Sequence, residues 1–509
     1  MTPFAKAMTS FPIASPPIAP LTGAPVALAY QFDRLTDGSR RLPSDVRLVA
    51  VRAYDGASTR TITADFVTAL LPLLARPRLY ADYLVARQVE RRLGVHGLGP
   101  VIDSRTVRML EAGGQNRLLI EEELASLRAN PIYAAQLVYE ALSTRAENTQ
   151  LDFLLREIEL PVIEPTAAMM EAGVLVDNQL LEGFLESSAL HVELAQRQIA
   201  ELAESPGDGA EAKAIQKELG HQQAILSHAR NMLAAIDPVT GRVHPSLDPL
   251  GAATGRFSCS SPNLQGLPRE MRSCVVAGPG NVLIVADWKQ AEMHVLGYWS
   301  QDPSLLAAIA QGVDLHTRTA AAVLGIPEAN ATEQRDLGKT VNFAIVYGMT
   351  SSGLSEELGI DQMHAQRHLD AFDQWFPGVP QWRKKVQDFV SSNLYVLTLY
   401  GRCRAFPSAR SGDSVKRDEV FRQAVNTVIQ GTAADLHKTA IVRVYHGLPQ
   451  GCRLLLPIHD ALLVEVPEER QGECAKAIQS LLEAPLPGFP WSLPVEMKAG
   501  KSWGEMNTI

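Results

Sequence analysis

The chain reads as an α+β protein, and three observations carry that reading. Short apolar runs bounded by turn residues, at 282–286 and on either side of His459-Asp460, have the length of buried strands. Two long stretches, Leu180 to Ala203 and Ala210 to Ala234, have the length and continuity of helices. Arg335, Lys339, Phe343 and Tyr347 recur every four residues, which is the spacing of one helix face.

Along the chain, residues 1–25 are rich in Pro, Ala and Ser, and prolines at 12, 16, 17, 20 and 25 interrupt every apolar run. No basic segment leads into an unbroken apolar one, so a flexible tail is expected rather than a secretory signal. Residues 26–160 mix short strands with helices and read as a small α/β unit. Residues 161–509 form the larger part. Its two long helices are expected to form a hairpin, broken at Ser205-Pro-Gly-Asp-Gly209. Few cations lie near the tip apart from Lys213 and Lys217.

Val282 to Ala286 follows Pro279-Gly280 and reads as a buried strand, with Asp287 at its end. A carboxylate there is costly to bury unless it is paired or meets a cation. Arg335 to Gly348 reads as a helix. Each four-residue step drifts only about 40° around the axis, so two cations and then two rings form one spiralling stripe. That stripe suits a ligand with a polyphosphate at one end and a flat base at the other. An ordinary amphipathic helix shares the spacing, so the flanking chain has to decide. Leu454 to Ile458 and Ala461 to Val466 read as a hairpin with His459-Asp460 at its tip. Pro457 lacks a ladder donor and predicts an edge strand or a bulge. Two carboxylates on adjacent strands can hold two Mg²⁺ ions roughly 3.5–4 Å apart. Phosphoryl transfer then needs mainly positioning and charge stabilisation, which metals and a lysine provide.

Composition sets outer bounds. At 509 residues the chain can bury large cores and divide into two to four domains. A hydrophobic content of 46% with 20% charged residues is ordinary for a soluble globular protein, and no apolar run is long enough for a membrane span. The formal net charge of −9 does not advertise nucleic-acid binding, although a basic cleft can sit in an acidic whole. Arg383, Lys384 and Lys385 form one local basic cluster, and Arg402 with Arg404 another; a solvated face explains either. The five cysteines contain no CxxC pair, which excludes a zinc ribbon and fits a reducing, cytoplasmic setting.

Five motifs give the chain a family resemblance. Asp287-Trp-Lys-Gln-Ala-Glu-Met-His resembles the first palm motif of family A DNA polymerases, DYSQIELR. Arg335 to Gly348 resembles their fingers helix, R-x3-K-x3-F-x3-Y-G. Ile458-His-Asp-Ala resembles their second palm motif, VHDE. Thr254-Gly-Arg256-Phe-Ser-Cys-Ser-Ser-Pro-Asn-Leu-Gln265 is similar to TGRLSSxxPNLQ, and Asn426 to Asp435 to NxxxQGTAAD. The five occur in family order, within residues 155 to 509.

The resemblance implies a right-hand polymerase: thumb at 175–245, palm at 246–302 and 395–509, fingers at 303–394. It implies template-directed extension of a DNA primer with dNTPs in replication or repair, with primer-template DNA as partner and two Mg²⁺ ions, or Mn²⁺, as cofactor. Asp287 and Asp460 would hold metal, assisted by the Trp288 carbonyl. Lys339 and Arg335 would hold the triphosphate, with Lys339 protonating the departing pyrophosphate, and His316 and Gln290 would be further dNTP contacts. Phe343 would pack on sugar and base, and Tyr347 would occupy the templating position in the open state. Glu292 would be the gate against a 2′-hydroxyl. Arg256, Arg272, Asn426, Gln430 and His459 would track the DNA, where minor-groove contacts check geometry rather than sequence.

The chain also departs from the pattern. Ala461 replaces the family's glutamate, Lys289 a serine and His294 an arginine. The short thumb with few cations implies weak processivity without a partner. Residues 26–160 resemble a shrunken ribonuclease H-like 3′–5′ exonuclease domain, yet Leu137 stands where the motif YAAxDA has its metal-binding aspartate. No DxE ends an early strand, and Asp82 and Asp103 are expected at the surface. Proofreading needs a carboxylate cluster, so none is expected; nor is a 5′-nuclease domain. Two other readings stand beside this one, a single-subunit RNA polymerase and a DNA-binding remnant without activity. Glu292 and Phe343 speak against the first, and the two aspartates with Lys339 against the second.

Overall fold

The structure, a computed structural model, describes residues 25–32, 47–55, 57–75, 78–80, 82–95, 101–112, 153–204 and 209–509. The Pro-rich tail through residue 24, the 133–137 motif and the 205–208 break lie outside these residues.

The first unit is a mixed five-stranded sheet with helices. In chain order its elements are β1 (Val26–Phe32), β2 (Leu48–Tyr54), β3 (Thr59–Ile62), α1 (Phe66–Leu74), β4 (Arg78–Tyr80), α2 (Tyr83–Arg92), β5 (Val101–Asp103) and α3 (Ser104–Glu111). The strand order is β3-β2-β1-β4-β5, with β2 antiparallel to its neighbours and β4 parallel to β1 and β5. This is the ribonuclease H-like arrangement expected. Side chains alternate across β1 because successive residues point to opposite faces. Val26, Leu28 and Tyr30 pack with Leu70, Leu74 and Val89, while Ala27 joins Leu79 and Leu84 in the core of the larger unit. Ion pairs fasten the two parts. Arg87 and Arg91 bind Glu164, Arg91 also reaches Glu171 at 2.6 Å, and Arg105 reaches Asp248 at 2.7 Å.

A π-helical turn, Leu154–Glu159, leads into α4 (Ile163–Ala172), which carries Glu164 and Glu171. The helical hairpin follows as α5 (Asn178–Glu204) and α6 (Gly209–Ala234), packed along each other. Next come β6 (Asn281–Trp288), α7 (Ala291–Ser300), α8 (Leu315–Leu324), α9 (Arg335–Tyr347), α10 (Gly378–Asn393) and the 34-residue α11 (Ser414–Gly447). The chain closes with β7 (Arg453–Ile458), β8 (Ala461–Pro467), α12 (Gln471–Glu483), β9 (Val495–Gly500) and β10 (Asn507–Thr508). The second sheet is antiparallel, ordered β7-β8-β6-β9-β10, so β6 lies at its centre. Pro457 behaves as its chemistry requires: β7 is an edge strand, and its register slips between Leu454 and Leu456.

The structure corrects two expectations. Asp82 and Asp103 are buried, not at the surface. Asp103 caps α3: its carboxylate accepts from the Thr106 N–H at 3.0 Å, the Thr106 hydroxyl at 2.6 Å and the Tyr83 N–H at 2.8 Å. Arg402 is not on a solvated face but in a buried charge network described below. The Arg383 cluster does lie on a solvated face, with Lys384 and Lys385 exposed, Arg383 paired with Asp373 and Lys384 with Asp388.

Candidate active site

A cleft of about 770 Å³ opens above the second sheet. Asp287 ends the central strand and faces into it. The ladder sets Asp287 opposite Ala461, so Asp460, at the turn before Ala461, stands beside it. His459 makes this turn with a φ of 54°, in the left-handed region. Both aspartates line the cleft together with Arg335, Lys339, Phe343, His316, Gln290 and Glu292. Trp288 turns inward: its indole N–H donates to the Leu482 carbonyl at 3.3 Å, and its ring edge meets His437. That fixes the strand end from which Asp287 projects.

The stripe on α9 faces the acids. Arg335, Lys339, Phe343 and Tyr347 lie on its open side, while Val341, Ala344 and Ile345 are buried behind. Lys339 Nζ lies 5.6 Å from the Phe343 ring centre, within cation–π range, and the Phe343 and Tyr347 rings meet edge to face at 6.0 Å. Gly338 makes this placement work. A Cβ there would collide with the His316 carbonyl, so α8 and α9 touch backbone to backbone.

His316 is buried and held by a residue the sequence reading missed. The Asn342 amide donates to His316 Nδ1 at 2.8 Å, and its oxygen accepts from the Thr319 hydroxyl at 2.9 Å. The His316 proton therefore sits on Nε2. Burial, reinforced by Arg335 and Lys339, pushes its pKa down to about 4, so it is a neutral donor at pH 7. The signal in the sequence was an amide on the apolar face of the stripe helix. Gln290 also takes a framework role. It opens α7 with a φ of 57°, donates to Asp314 at 2.6 Å and accepts from the Leu315 N–H at 2.8 Å. Asp314 also accepts from Arg335 at 3.1 Å, so the strand end, α8 and α9 are tied at one point.

Arg256 stands between two of the site's acids, Glu292 and Asp460. It binds Glu292 at 2.5 Å and lies 3.5 Å from Asp460. Tyr347 lies near the same guanidinium. Burial holds the Glu292 carboxyl above its ordinary pKa. Arg272 lines the cleft and covers the Trp503 ring at 4.6 Å. Arg256, Tyr347, Asn426, Gln430 and His459 lie outside the cleft lining. Gln430 is buried on α11, whose neighbouring Gly431 approaches the Thr254 carbonyl. Glu496, Lys498, Lys289 and Arg269 also line the cleft; of these, the sequence reading had singled out Lys289 alone.

The donors fit a hard divalent cation. Among the described residues no three His, Cys, Asp or Glu side chains converge as a closed cage. Mg²⁺ is commonly held by one or two carboxylates, with water and phosphate oxygens completing its shell, and Asp287, Asp460 and the Trp288 carbonyl offer that set. Asp287 has its pKa raised to about 6, by burial first and then by Asp460 and Glu496, against Lys339 and Lys498. Its folded value exceeds the unfolded one of roughly 3.9. Asp287 therefore favours the fold below about pH 4, and this contribution is lost as pH rises through about 6. A divalent cation should displace this proton. Adding Mg²⁺ at pH 6 should thus release protons, and at pH 8 almost none. Calorimetric titration in buffers of different ionisation enthalpy measures this, and Asp287→Asn should erase the pH 6 release. Equal release at both pH values would refute the assignment.

Sheet, paired acids and stripe helix together define the class: a right-hand nucleic-acid polymerase fold. Residues 174–505 match the family model of DNA polymerase family A, and the chain belongs to that family. It is 38% identical over 284 residues to DNA polymerase I of Chloroflexus aurantiacus, covering 54% of this chain and 30% of that protein. To DNA polymerase I of Pseudomonas aeruginosa it is 29% identical over 462 residues, covering 79% and 50%. The chain thus covers between 30% and 50% of the length of these relatives. A solved structure, the POL domain of Pol1 from M. smegmatis in complex with DNA primer-template and dNTP, superposes with a TM-score of 0.78 at 25% identity, covering 95% of this chain and 96% of that one.

Proposed function

We propose that this chain is a template-directed DNA polymerase that extends a DNA primer with dNTPs and releases pyrophosphate, without proofreading. One observation carries the reading: Asp287 and Asp460 share a single cleft with the cations and ring of α9. The thumb would be 175–245, the palm 246–302 and 395–509, and the fingers 303–394.

Two divalent ions, Mg²⁺ or Mn²⁺, bound by Asp287 and Asp460 would lower the pKa of the primer hydroxyl and neutralise the phosphate charge. The chain's own groups do the remainder. Arg335 and Lys339 bind the triphosphate, and Lys339 Nζ holds the proton that the leaving pyrophosphate needs. His316 Nε2 donates to a phosphate oxygen. Phe343 supplies a stacking face for sugar and base, and Tyr347 closes the end of the stripe. Glu292, buried and bound by Arg256, would exclude a 2′-hydroxyl. Arg256, Arg272, Asn426, Gln430 and His459 would follow the DNA backbone and minor groove.

Loss of proofreading is supported by what occupies the first unit. The hydroxyls of Tyr30 and Tyr80 close on buried Glu90 at 3.1 and 2.6 Å, and Asp103 is spent on a helix cap. Five free cysteines fit the cytoplasm, and no described helix is long and apolar enough to cross a membrane.

Primer extension with dNTPs and with rNTPs tests the proposal. Extension should occur with dNTPs and Mg²⁺, and Glu292→Ala should bring rNTP incorporation toward the dNTP rate. A mispaired primer without nucleotides should stay full length. Efficient rNTP use by the unaltered protein would favour an RNA polymerase. No extension at all would favour a DNA-binding remnant. Primer shortening lost in Asp82→Ala or Asp103→Ala would restore proofreading.

A further inference from the structure

Ala461 leaves the metal-binding pair without the third carboxylate of the family motif, and the sheet register shows an acid on the other flank. Across β8, β6 and β9, Ala461, Asp287 and Glu496 form one row: Asp287 is paired with Ala461 on one side and with Glu496 on the other. Directly opposed residues on antiparallel strands point to the same face, with Cβ atoms about 4.5–5.5 Å apart. Glu496 therefore stands as close to Asp287 on β9 as a residue-461 carboxylate would on β8. Its side chain opens into the same cleft and pairs with Lys498 at 3.3 Å, two residues along the same face.

We propose that Glu496 is the outer carboxylate of the cation site and takes the part that a glutamate at 461 would play. A direct bond to metal is not needed. Hard cations retain water, and a carboxylate one strand away accepts hydrogen bonds from that water and fixes its orientation. Lys498 keeps the acid aimed along the sheet until the cation competes for it. The inference rests on the polymerase reading of the cleft, since it concerns the ions bound by Asp287 and Asp460.

The test reads metal binding rather than turnover. The full chain is mixed with a primer-template whose primer ends in a dideoxynucleotide and with the matching dNTP. Free Mn²⁺ is followed by electron paramagnetic resonance. Glu496→Gln should weaken Mn²⁺ binding roughly tenfold, the lower end for groups that support metal ligands. Ala461→Glu in the same chain should restore it, because it returns a carboxylate to the opposite flank of Asp287. Asp460→Asn is the reference. Binding lost in Asp460→Asn but unchanged in Glu496→Gln overturns this inference and leaves the site standing. Binding unchanged in Asp460→Asn overturns the proposed function itself. A loss in Glu496→Gln that Ala461→Glu does not restore refutes the exchange of one acid for the other. Primer-template affinity in EDTA reports folding. Should Glu496→Gln lose it, Glu496→Asp is titrated instead, and unchanged binding there counts against the proposal.

Discussion

Replacing Asp460 by alanine should lower single-turnover primer extension by roughly 10³-fold or more, with primer-template affinity nearly unchanged. Asp287→Ala should do the same. The argument is electrostatic. The cleft is cationic on its α9 wall and acidic on its sheet wall, and the acids are what can hold divalent ions against Lys339, Lys498 and Lys289. Without one of them, the site would offer a divalent ion only half of that carboxylate charge. The double variant should be scarcely worse than either single one, because the acids serve one event and such losses do not add. Rapid-quench measurement at saturating dNTP settles the point. A loss under tenfold for Asp460→Ala would place the chemistry elsewhere.

Arg402→Met should destabilise the protein by about 3–5 kcal/mol, the range for breaking a buried ion pair from one side. Arg402 donates to Asp435 at 2.6 and 2.8 Å and binds Glu159, which also pairs with Lys438 at 2.6 Å; the Thr398 hydroxyl donates to the other Asp435 oxygen at 2.6 Å. All four charged groups are at most 3% exposed, so an orphaned carboxylate would have no water to turn to. The network also reaches the active site. Gly255 has a φ of 84°, and any Cβ there would meet the Arg402 guanidinium, so the loop carrying Arg256 lies directly against it. Denaturant unfolding measures the loss. Pairing Arg402→Met with Asp435→Asn should recover part of it, by removing one unpaired charge. A change below about 1 kcal/mol, the scale of an exposed pair, would contradict the buried-network account.

The cleft carboxylates and the stripe on α9 were legible because each is written in a short window. Asp287 ends an apolar run, Asp460 sits between two, and Arg335, Lys339, Phe343 and Tyr347 keep helical spacing. Pro457 announced the edge strand because a missing N–H has few other places to go. Asp103 misled the reading because a capping carboxylate and a solvated one look alike in sequence. Arg402 misled it because a neighbouring Arg404 suggests a surface patch, while its partners Glu159, Asp435 and Lys438 are scattered along the chain. Asn342 has no signal in the sequence beyond an amide on the helix's apolar face, and only its contact with His316 gives it a role.

The amino-acid sequence by itself determined the elements and their chemistry: which segment is a strand ending in acid, and which is a helix with cations and rings on one side. Those depend on periodicity, turn residues and charge, all local. Only the tertiary structure decided the neighbours. It set Glu496 level with Asp287, Arg256 between Glu292 and Asp460, and Gly338 against the His316 carbonyl. Strand register and helix approach are fixed by burying faces that lie far apart along the chain, and no window of sequence contains both sides of such a contact.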